Sequence, residues 1–179
     1  MELKSCADLP NYTVLSSEHL NDRPPGTVID TIVIHSMYNL FPEFGEPFCA
    51  KACKLVLDQD QVSAHYLIDR SGHVFECVAP EKRAWHAGIS KMPDGRENAN
   101  NFSIGIELLA DKQSGFTAEQ YQSLPKLCSA LCSQFPLRLI VSHQTIAPDR
   151  KDDPWGFDWS RLMKDLALLS SNLTLMARS

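Results

Sequence analysis

Short runs of β-branched and aliphatic residues recur along the chain and predict buried strands. The first run, Thr27–Ile34 (TVIDTIVI), predicts a strand that has His35 at its end. The same pattern predicts further strands over Ser63–Ile68, His73–Val78, Ser103–Leu109 and Leu137–Val141. The tetrapeptide Asp69-Arg70-Ser71-Gly72 separates the first two of these and has the composition of a hairpin turn. We therefore expect those two strands to pair with each other.

Segments with helical spacing of apolar residues lie between the strands. Residues 47–57 predict a short helix, and residues 160 to about 176 predict a C-terminal one. Another helix opens at Thr117, with Gln120 three residues later in the spacing of a capping box. Pro125 either kinks this helix or marks its true start. Strands interleaved with helices indicate an α/β domain with a central sheet.

The composition fits one globular domain. The chain has 179 residues, of which 44% are hydrophobic and 22% are charged, close to the globular average. Because neither a repeat nor a low-complexity linker divides it, we assign residues 1–24 to an irregular N-terminal segment and residues 25–179 to a single domain. The formal charge of -5 argues against a nucleic-acid-binding protein that relies on a broad basic surface.

Three further features of the sequence bear on location. No apolar run approaches the roughly 18–20 residues that a transmembrane segment requires, and the opening MELKSCADLP lacks the apolar stretch of a secretory signal. We therefore expect a cytoplasmic protein, with a periplasmic location as the alternative if a signal peptide has been removed. Two cysteine pairs, Cys49/Cys53 and Cys128/Cys132, are spaced like small buried residues on one helical face, which predicts reduced, structural thiols.

Two predicted strands lead into a histidine, and these residues are the best-placed candidates for chemistry. Open α/β sheets place ligands outside the carboxyl ends of their strands, so we expect His35 and His143 to share a site. Asp153, ten residues after His143 in a proline-bounded loop, can return a carboxylate to it. Two imidazoles and one carboxylate leave one tetrahedral position open, as in a catalytic zinc site. The alternative is that both histidines are solvated residues at strand ends.

An acid and a base accompany these candidate ligands. Glu107 ends the run SIGIE and shares a strand face with Ser103 and Gly105, whose small side chains leave room for a ligand. A carboxylate beside a bound water can take its proton and pass it on. Lys151, two residues before Asp153, can stabilise a developing oxyanion. The alternatives are an ordinary carboxylate on a half-exposed strand and a solvated loop lysine.

Five motifs follow one another in a characteristic order and spacing: TIVIH, VSAHYLIDRSG, RAWHAGIS, NNFSIGIEL and SHQTIAPDRKDDP. Together they resemble the zinc-dependent N-acetylmuramoyl-L-alanine amidases of the type 2 family, which includes AmpD-like amidases, T7-type lysozyme and the peptidoglycan recognition proteins. The resemblance covers about residues 25–162. It implies a mixed central β-sheet flanked by helices. It also implies hydrolysis of the amide between the lactyl group of N-acetylmuramic acid and L-alanine.

The resemblance further implies roles for individual residues. The zinc ligands fall on His35, His143 and Asp153. The catalytic acid falls on Glu107, and the oxyanion-stabilising lysine falls on Lys151. The implied cofactor is therefore Zn²⁺, and the implied substrate is peptidoglycan or a muramyl peptide.

Four other residues are candidates for substrate binding. His65 and His86 match histidines of the family that do not bind zinc, so we expect them to orient ligands or line the groove, with buried core histidines as the alternative. Trp85 offers a stacking face to a sugar or peptide, and Arg70 offers a guanidinium to a stem-peptide carboxylate. The family commonly has glycine after its Asp-Pro, whereas this chain has Trp155, which bears on substrate preference.

Two alternatives belong to other functional classes. Ser123 and Lys126 fit the S-x-x-K motif, and residues 170–172 fit the S-x-N motif, of penicillin-binding serine enzymes, which would provide a DD-carboxypeptidase activity. The other is a non-catalytic peptidoglycan-binding module. Family members that only bind typically lack part of the ligand set, which is complete here. The sequence leaves open whether the substrate is a small anhydromuramyl peptide or polymeric wall, and it does not predict the oligomeric state.

Overall fold

The centre of the molecule is a mixed seven-stranded sheet, described here from a computed structural model for residue 9, residues 11–169 and residues 176–178. The strands are β1 (Tyr12–Val14), β2 (Leu20–Asn21), β3 (Thr31–Met37), β4 (Tyr66–Ile68), β5 (Val74–Glu76), β6 (Arg83–Ala84), β7 (Ser103–Leu109), β8 (Leu139–Ser142) and β9 (Met176–Arg178). The helices are α1 (Ala50–Gln59), α2 (Ala118–Cys132), α3 (His143–Ile146) and α4 (Trp159–Leu169). The sheet order is β1-β5-β4-β7-β3-β8-β9, with β4 and β5 antiparallel and all other neighbours parallel. Strands β2 and β6 form a separate antiparallel pair.

Apolar layers cover both faces of the central strands β3 and β7, which are buried along nearly their whole length. Because side chains alternate along a strand, Ile32 and Ile34 face one layer and Val33 faces the other. Helices α2 and α4 contribute to the first layer. Burial on both faces is typical of central parallel strands. The predicted α/β fold, a mixed central sheet flanked by helices, is confirmed.

All the predicted strands are present, but β4, β5 and β8 begin later than predicted, and β3 differs at both ends. The strand Ser103–Leu109 and the pairing of β4 with β5 are confirmed. The first strand was predicted over Thr27–Ile34 but begins at Thr31 and continues through His35 to Met37. His35 therefore lies inside β3, where the strand residues before and after it restrain its backbone. It does not lie at the strand end as predicted.

The helix predictions agree less well at their ends. The capping box of α2 is confirmed, since Thr117 Oγ1 accepts from the Gln120 backbone N–H at 3.1 Å and Gln120 Oε1 accepts from the Thr117 backbone N–H at 3.0 Å. Pro125 lies inside α2 and does not mark its start. The C-terminal helix ends at Leu169, and a strand occupies 176–178, so the predicted helix is too long.

Part of the segment predicted as irregular is ordered by the sheet. Within residues 1–24, β1 extends the sheet by pairing in parallel with β5, and β2 pairs with β6. These strands are only three and two residues long, which is too short to give a local strand signal, and they form because their partners offer free backbone groups. The S-x-N motif at residues 170–172 lies outside the described residues. No helix within the described ranges has the length and apolarity that crossing a bilayer would require.

Of the described cysteines, Cys49, Cys53, Cys77 and Cys132 are free thiols. Each predicted pair is only half buried: Cys53 and Cys128 are buried, whereas Cys49 is exposed and Cys132 is partly exposed. The prediction is wrong for Cys49, which precedes the first residue of α1 and is exposed, whereas Cys132, the last residue of α2, packs against the same core cluster as Cys128. Burial raises the pKa of Cys53 and Cys77 to about 12, so both thiols stay protonated at neutral pH.

Asp30 is a buried carboxylate directly before β3 that joins three separate parts of the chain. It accepts hydrogen bonds from Thr31 Oγ1 at 2.7 Å, Arg96 Nη1 at 3.0 Å and Arg138 Nη2 at 2.5 Å. Burial raises the pKa of Asp30, but the bonds from Arg138, Thr31 and Arg96 outweigh it and hold that pKa below its usual range. The carboxylate therefore stabilises the folded chain in its ionised form.

We predict that Asp30→Asn destabilises the fold in a pH-dependent manner. Because the pKa is lower in the folded state, the stabilisation is present above the unfolded value of about 3.9 and is lost as pH falls further. Urea unfolding at pH 7 should show a loss of about 1–3 kcal/mol, the usual cost of removing hydrogen bonds to a charged group. The difference from the wild type should shrink below about pH 4. Asp94→Asn, at a surface partner of Arg96, is the control and should change stability little; a pH-independent loss in Asp30→Asn would contradict this account.

Candidate metal centre and active site

His35, His143 and Asp153 converge towards the carboxyl ends of the central strands. His35 lies on β3, His143 begins α3 directly after β8, and Asp153 lies in the loop between α3 and α4. His35 Nδ1 is 3.0 Å from His143 Nδ1 and 3.6 Å from Asp153 Oδ2, and His143 Nδ1 is 3.2 Å from Asp153 Oδ1. All three side chains are buried. The fold thus brings together three residues that are well separated in sequence.

Hydrogen bonds to nearby backbone groups hold the last two of these residues in place. Ser142 Oγ accepts from the Thr145 backbone N–H at 2.8 Å and so caps α3 where His143 begins it. The Asp153 carbonyl accepts from the Gln144 backbone N–H at 2.9 Å. Asp153 Oδ2 also accepts from the backbone N–H of residue 36 on β3, at 3.3 Å. Asp153 is therefore bonded through its backbone carbonyl to α3 and through its carboxylate to β3, the two elements that carry the histidines.

The spacing of the three ligand atoms fits a zinc ion. Nitrogen and oxygen ligands lie about 2.0–2.1 Å from zinc, so two ligands of one tetrahedral ion are about 3.3 Å apart. With Nδ1 of both histidines and Oδ2 of Asp153 as the ligand atoms, the three separations are 3.0, 3.3 and 3.6 Å and scatter around that value. Two imidazoles and one carboxylate also leave one coordination position free, as catalytic zinc sites do. The residues present therefore fit zinc in both number and geometry.

The surroundings favour the protonation states that metal ligands need. Burial and the neighbouring His143 lower the pKa of His35 to about 4, so its imidazole is neutral at neutral pH. Burial raises the pKa of Asp153, but hydrogen bonds from His143 and His35 outweigh this effect and hold that pKa well below its usual range. A neutral imidazole and an ionised carboxylate are the forms that bind a metal ion.

Glu107 lies directly beside this cluster. It stands opposite His35 in the β3–β7 register, and its Oε1 is 3.9 Å from His35 Nδ1. Its other oxygen, Oε2, is buried and makes no hydrogen bond to any described residue. Burial and the charge of Asp153 raise the pKa of Glu107 well above its usual range, whereas Lys151 lowers it. A carboxyl group whose pKa is raised in this way can accept and release a proton near neutral pH.

The cluster borders a groove of about 600 Å³. Of the residues singled out in the sequence, the groove lining includes Trp85, His86, Glu107, His143, Lys151, Asp153 and Trp155. Lys151 is exposed, and its positive charge lowers the pKa of both His35 and Glu107. The lysine therefore brings a positive charge to the side of the cluster from which a substrate would approach.

Two tryptophans of the groove lining are tethered through their indole N–H groups. Trp85 Nε1 donates to Asn21 Oδ1 at 2.8 Å, and Trp155 Nε1 donates to Asp152 Oδ1 at 2.8 Å. Trp155 also meets Tyr38 edge to face, with ring centroids 6.3 Å apart. Tethered rings present flat apolar surfaces at fixed positions. Trp155 thus forms part of the groove wall.

Comparison with known proteins assigns the chain to a family. Residues 25–156 match the protein family described as N-acetylmuramoyl-L-alanine amidase. The 1,6-anhydro-N-acetylmuramyl-L-alanine amidase AmpD of Salmonella typhimurium is 38% identical over 168 residues, which are 86% of this chain and 89% of that protein. The chain belongs to the N-acetylmuramoyl-L-alanine amidase family.

Solved structures of family members have the same fold. The crystal structure of a selenomethionine derivative of AmpD superposes with a TM-score of 0.74 at 34% identity, over 88% of this chain and 96% of that one. The Escherichia coli amidase AmiD has a TM-score of 0.64 at 26% identity, over 83% of this chain and 66% of that one. That AmiD structure is a complex with the substrate anhydro-N-acetylmuramic acid-L-Ala-D-γ-Glu-L-Lys.

Two residues predicted to contact substrate in this amidase-family chain lie elsewhere. Arg70 donates to the carbonyls of Leu109 and Gly115 and lies over the ring of Phe48, so it anchors the loop after β7 and does not line the groove. His65 is completely buried, and its Nδ1 accepts from the backbone N–H of residue 105 at 2.9 Å. The groove lining includes neither residue, because backbone groups of distant segments already occupy both side chains.

Three residues hold loops near the groove in place, and no sequence motif predicts this role for them. Arg23 donates to the carbonyls of Pro80, Asn100, Asn101 and Ser103 at 2.8–3.0 Å. Arg150 donates to the carbonyls of residues 87 and 89. Asn100 Oδ1 accepts from the backbone N–H groups of residues 86 and 87 at 3.1 and 2.8 Å. All three bind backbone carbonyl or N–H groups, which no residue pattern displays.

The S-x-x-K motif does not form a second active site. Ser123 and Lys126 lie on α2 and border a space of only about 20 Å³, which holds about one water molecule. Ser123 Oγ packs against Gly72, where an added Cβ would lie 2.6 Å from it. No hydrogen bond joins the two side chains in the described part of the chain. The geometry therefore does not support a serine DD-carboxypeptidase.

The small residues on the Glu107 face of β7 make room for a histidine, and not for a ligand as predicted. An added Cβ at Gly105 would lie 2.4 Å from His86 Cγ, 2.6 Å from its Nδ1 and 2.7 Å from its Cδ2. The ring of His86 therefore occupies the place where a side chain at residue 105 would be.

We predict that Gly105→Ala destabilises the protein by about 1–3 kcal/mol, as overpacking of a core usually does. His86→Ala should remove the clash, so the double variant should be more stable than the sum of the two single changes implies. Urea unfolding of the four proteins measures this coupling. Strictly additive losses would show that the His86 ring is not the obstacle.

Proposed function

We propose that this chain is a zinc-dependent amidase that hydrolyses the bond between the lactyl group of N-acetylmuramic acid and L-alanine of the stem peptide. The observation that carries the proposal is the convergence of three potential ligands, His35, His143 and Asp153, with Glu107 beside them at the groove. Membership of the amidase family supports the reaction.

The chain's own residues can perform the proton transfers. Zinc held by His35, His143 and Asp153 would polarise the lactyl carbonyl and acidify the attacking water. Glu107 takes a proton from that water as its oxygen bonds to the carbonyl carbon, and delivers this proton to the L-alanine nitrogen as the carbon–nitrogen bond breaks. Lys151 stabilises the negative charge on the carbonyl oxygen. The reaction consumes one water molecule and returns Glu107 to its starting protonation state.

We infer that the substrates are small 1,6-anhydromuramyl peptides of cell-wall recycling. A groove of about 600 Å³ is within the range of sites for small molecules. Relatives named 1,6-anhydro-N-acetylmuramyl-L-alanine amidase match most of this chain, and the AmiD complex contains an anhydromuramyl peptide. Trp85 and Trp155 would offer their rings to the sugar or the stem peptide. The amidase domain at residues 25–179 and a cytoplasmic location are parts of this proposal.

The non-catalytic module is disfavoured by the site itself. A binding-only protein has no use for a complete set of metal ligands, nor for a buried carboxyl group whose pKa is raised beside them. Such groups cost stability and are typical of sites that carry out proton transfer.

Product analysis tests the proposed reaction. We expect mass spectrometry to show release of an intact stem peptide beginning at L-alanine from an anhydromuramyl pentapeptide, with loss of activity on chelation and recovery on addition of zinc. Purified sacculi, assayed in parallel, should release less. Loss of only the terminal D-alanine, unaffected by chelator, would refute the amidase and point to a serine enzyme.

We predict that Glu107→Gln lowers kcat by about 10²–10⁴-fold, the usual contribution of a general acid–base group, while zinc content stays unchanged. Glutamine keeps the size of the side chain but cannot take up the proton. Glu119→Gln, at an exposed carboxylate of α2, is the matched control and should retain wild-type activity. Full activity in Glu107→Gln would remove Glu107 from this role.

A further inference from the structure

A chain of hydrogen bonds runs from the backbone of the loop before β7 to the ring of His35. Ser103 Oγ donates to the Ala99 carbonyl at 2.5 Å and lies 3.2 Å from His86 Nε2. His86 Nδ1 in turn lies 3.0 Å from His35 Nε2. The other ring nitrogen of His35, Nδ1, is the one that faces His143 and Asp153. The chain thus ends at a nitrogen directly across the ring from the candidate metal centre.

The direction of every bond in this chain follows from the first one. A carbonyl oxygen only accepts, so the single hydroxyl hydrogen of Ser103 points to Ala99, and Ser103 Oγ accepts from His86 Nε2–H. His86 is buried and contacts no carboxylate among the described residues, so its ring is neutral and its Nδ1 carries a free electron pair. Nδ1 then accepts from His35 Nε2–H. This leaves the free electron pair of His35 on Nδ1, towards the other two ligands.

The ring of His86 has little freedom to move. Its backbone N–H donates to Asn100 Oδ1 at 3.1 Å, and its ring lies in the slot that Gly105 leaves on β7. The ring of His65 closes another side, with centroids 5.5 Å apart. A fixed acceptor at Nδ1 restricts both the rotation and the tautomer of the ring that donates to it.

We propose that His86 is a positioning residue for the metal centre, which holds His35 in the tautomer and orientation that present Nδ1 to the ion. The inference rests on the proposed zinc-dependent function. The sequence predicted that His86 either orients ligands or lines the groove, and the proposal selects the first of these roles. With Nδ1 and Nε2 both engaged inside the protein, His86 has no nitrogen left for a substrate, although its side chain borders the groove.

Zinc affinity measured by competition with a chromogenic chelator tests the proposal. His86→Ala removes the acceptor, and we expect its affinity to fall by about 10–100-fold, as removal of partners behind metal-bound histidines generally does. His86→Asn places a carbonyl oxygen near the position of Nδ1 and should recover most of the affinity. Ser103→Ala leaves His86 Nε2–H without its partner and should give a smaller loss. His73→Ala, at a histidine bonded to Thr13 near the other edge of the sheet, is the matched control and should bind zinc like the wild type.

A second measurement needs no metal and no activity. Long-range nitrogen–proton NMR spectra of the metal-free wild type should show His35 with its proton on Nε2. His86→Asn should keep this tautomer, and His86→Ala should show a mixture. If His86→Ala does not fold, the comparison of wild type, His86→Asn and Ser103→Ala still decides the question.

The outcomes separate this inference from the function on which it rests. A wild-type protein that binds no zinc refutes the proposed function, whatever the tautomer of His35. A wild type that binds zinc and a His86→Ala variant that binds it equally well, with His35 unchanged, overturn the role of His86. Equal losses in His86→Ala and His86→Asn also overturn it, because the accepting atom would then not be what matters.

Discussion

The parallel pairing of β3 with β7 and β8 is the constraint on which the site depends. It sets His35 opposite Glu107 and aligns the end of β8 so that His143 follows at the same edge of the sheet. A shift by one residue would turn every side chain of a strand to the opposite face. The isoleucines at 32, 34, 104 and 106 prevent such a shift, since all four must face the layer that α2 and α4 cover. The apolar core thus determines the geometry of the polar site.

The site itself is costly to fold. Glu107 Oε2 and His143 Nε2 are buried polar atoms without a hydrogen-bond partner among the described residues. Such atoms typically cost about 1–3 kcal/mol each. The surrounding network offsets part of this cost: Asp153 accepts from two backbone N–H groups, and His86 satisfies His35. Glu107 borders the groove beside the candidate metal centre, whereas His143 Nε2 is the ring nitrogen other than Nδ1, which faces that centre.

Features set by neighbours in sequence could be predicted, whereas features set by distant backbone could not. The strand Ser103–Leu109 and the capping box at Thr117 depend on residues only a few positions apart, and both are as predicted. The ligand set required the resemblance of five motifs, because spacing alone does not distinguish it from solvated histidines. Arg70, His65 and Arg23 were misjudged or missed because their partners are backbone groups about 40 to 80 residues away.

Three consecutive residues of the loop between α3 and α4 serve three different neighbours. Lys151 borders the groove, Asp152 joins Lys112 and Trp155 at its rim, and Asp153 completes the ligand set. Exchange of one of these side chains would alter only the contact that this side chain makes. A single inserted or deleted residue, however, would displace the charge, the rim and the ligand at once. The length of this segment therefore affects all three contacts, whereas each side chain affects one.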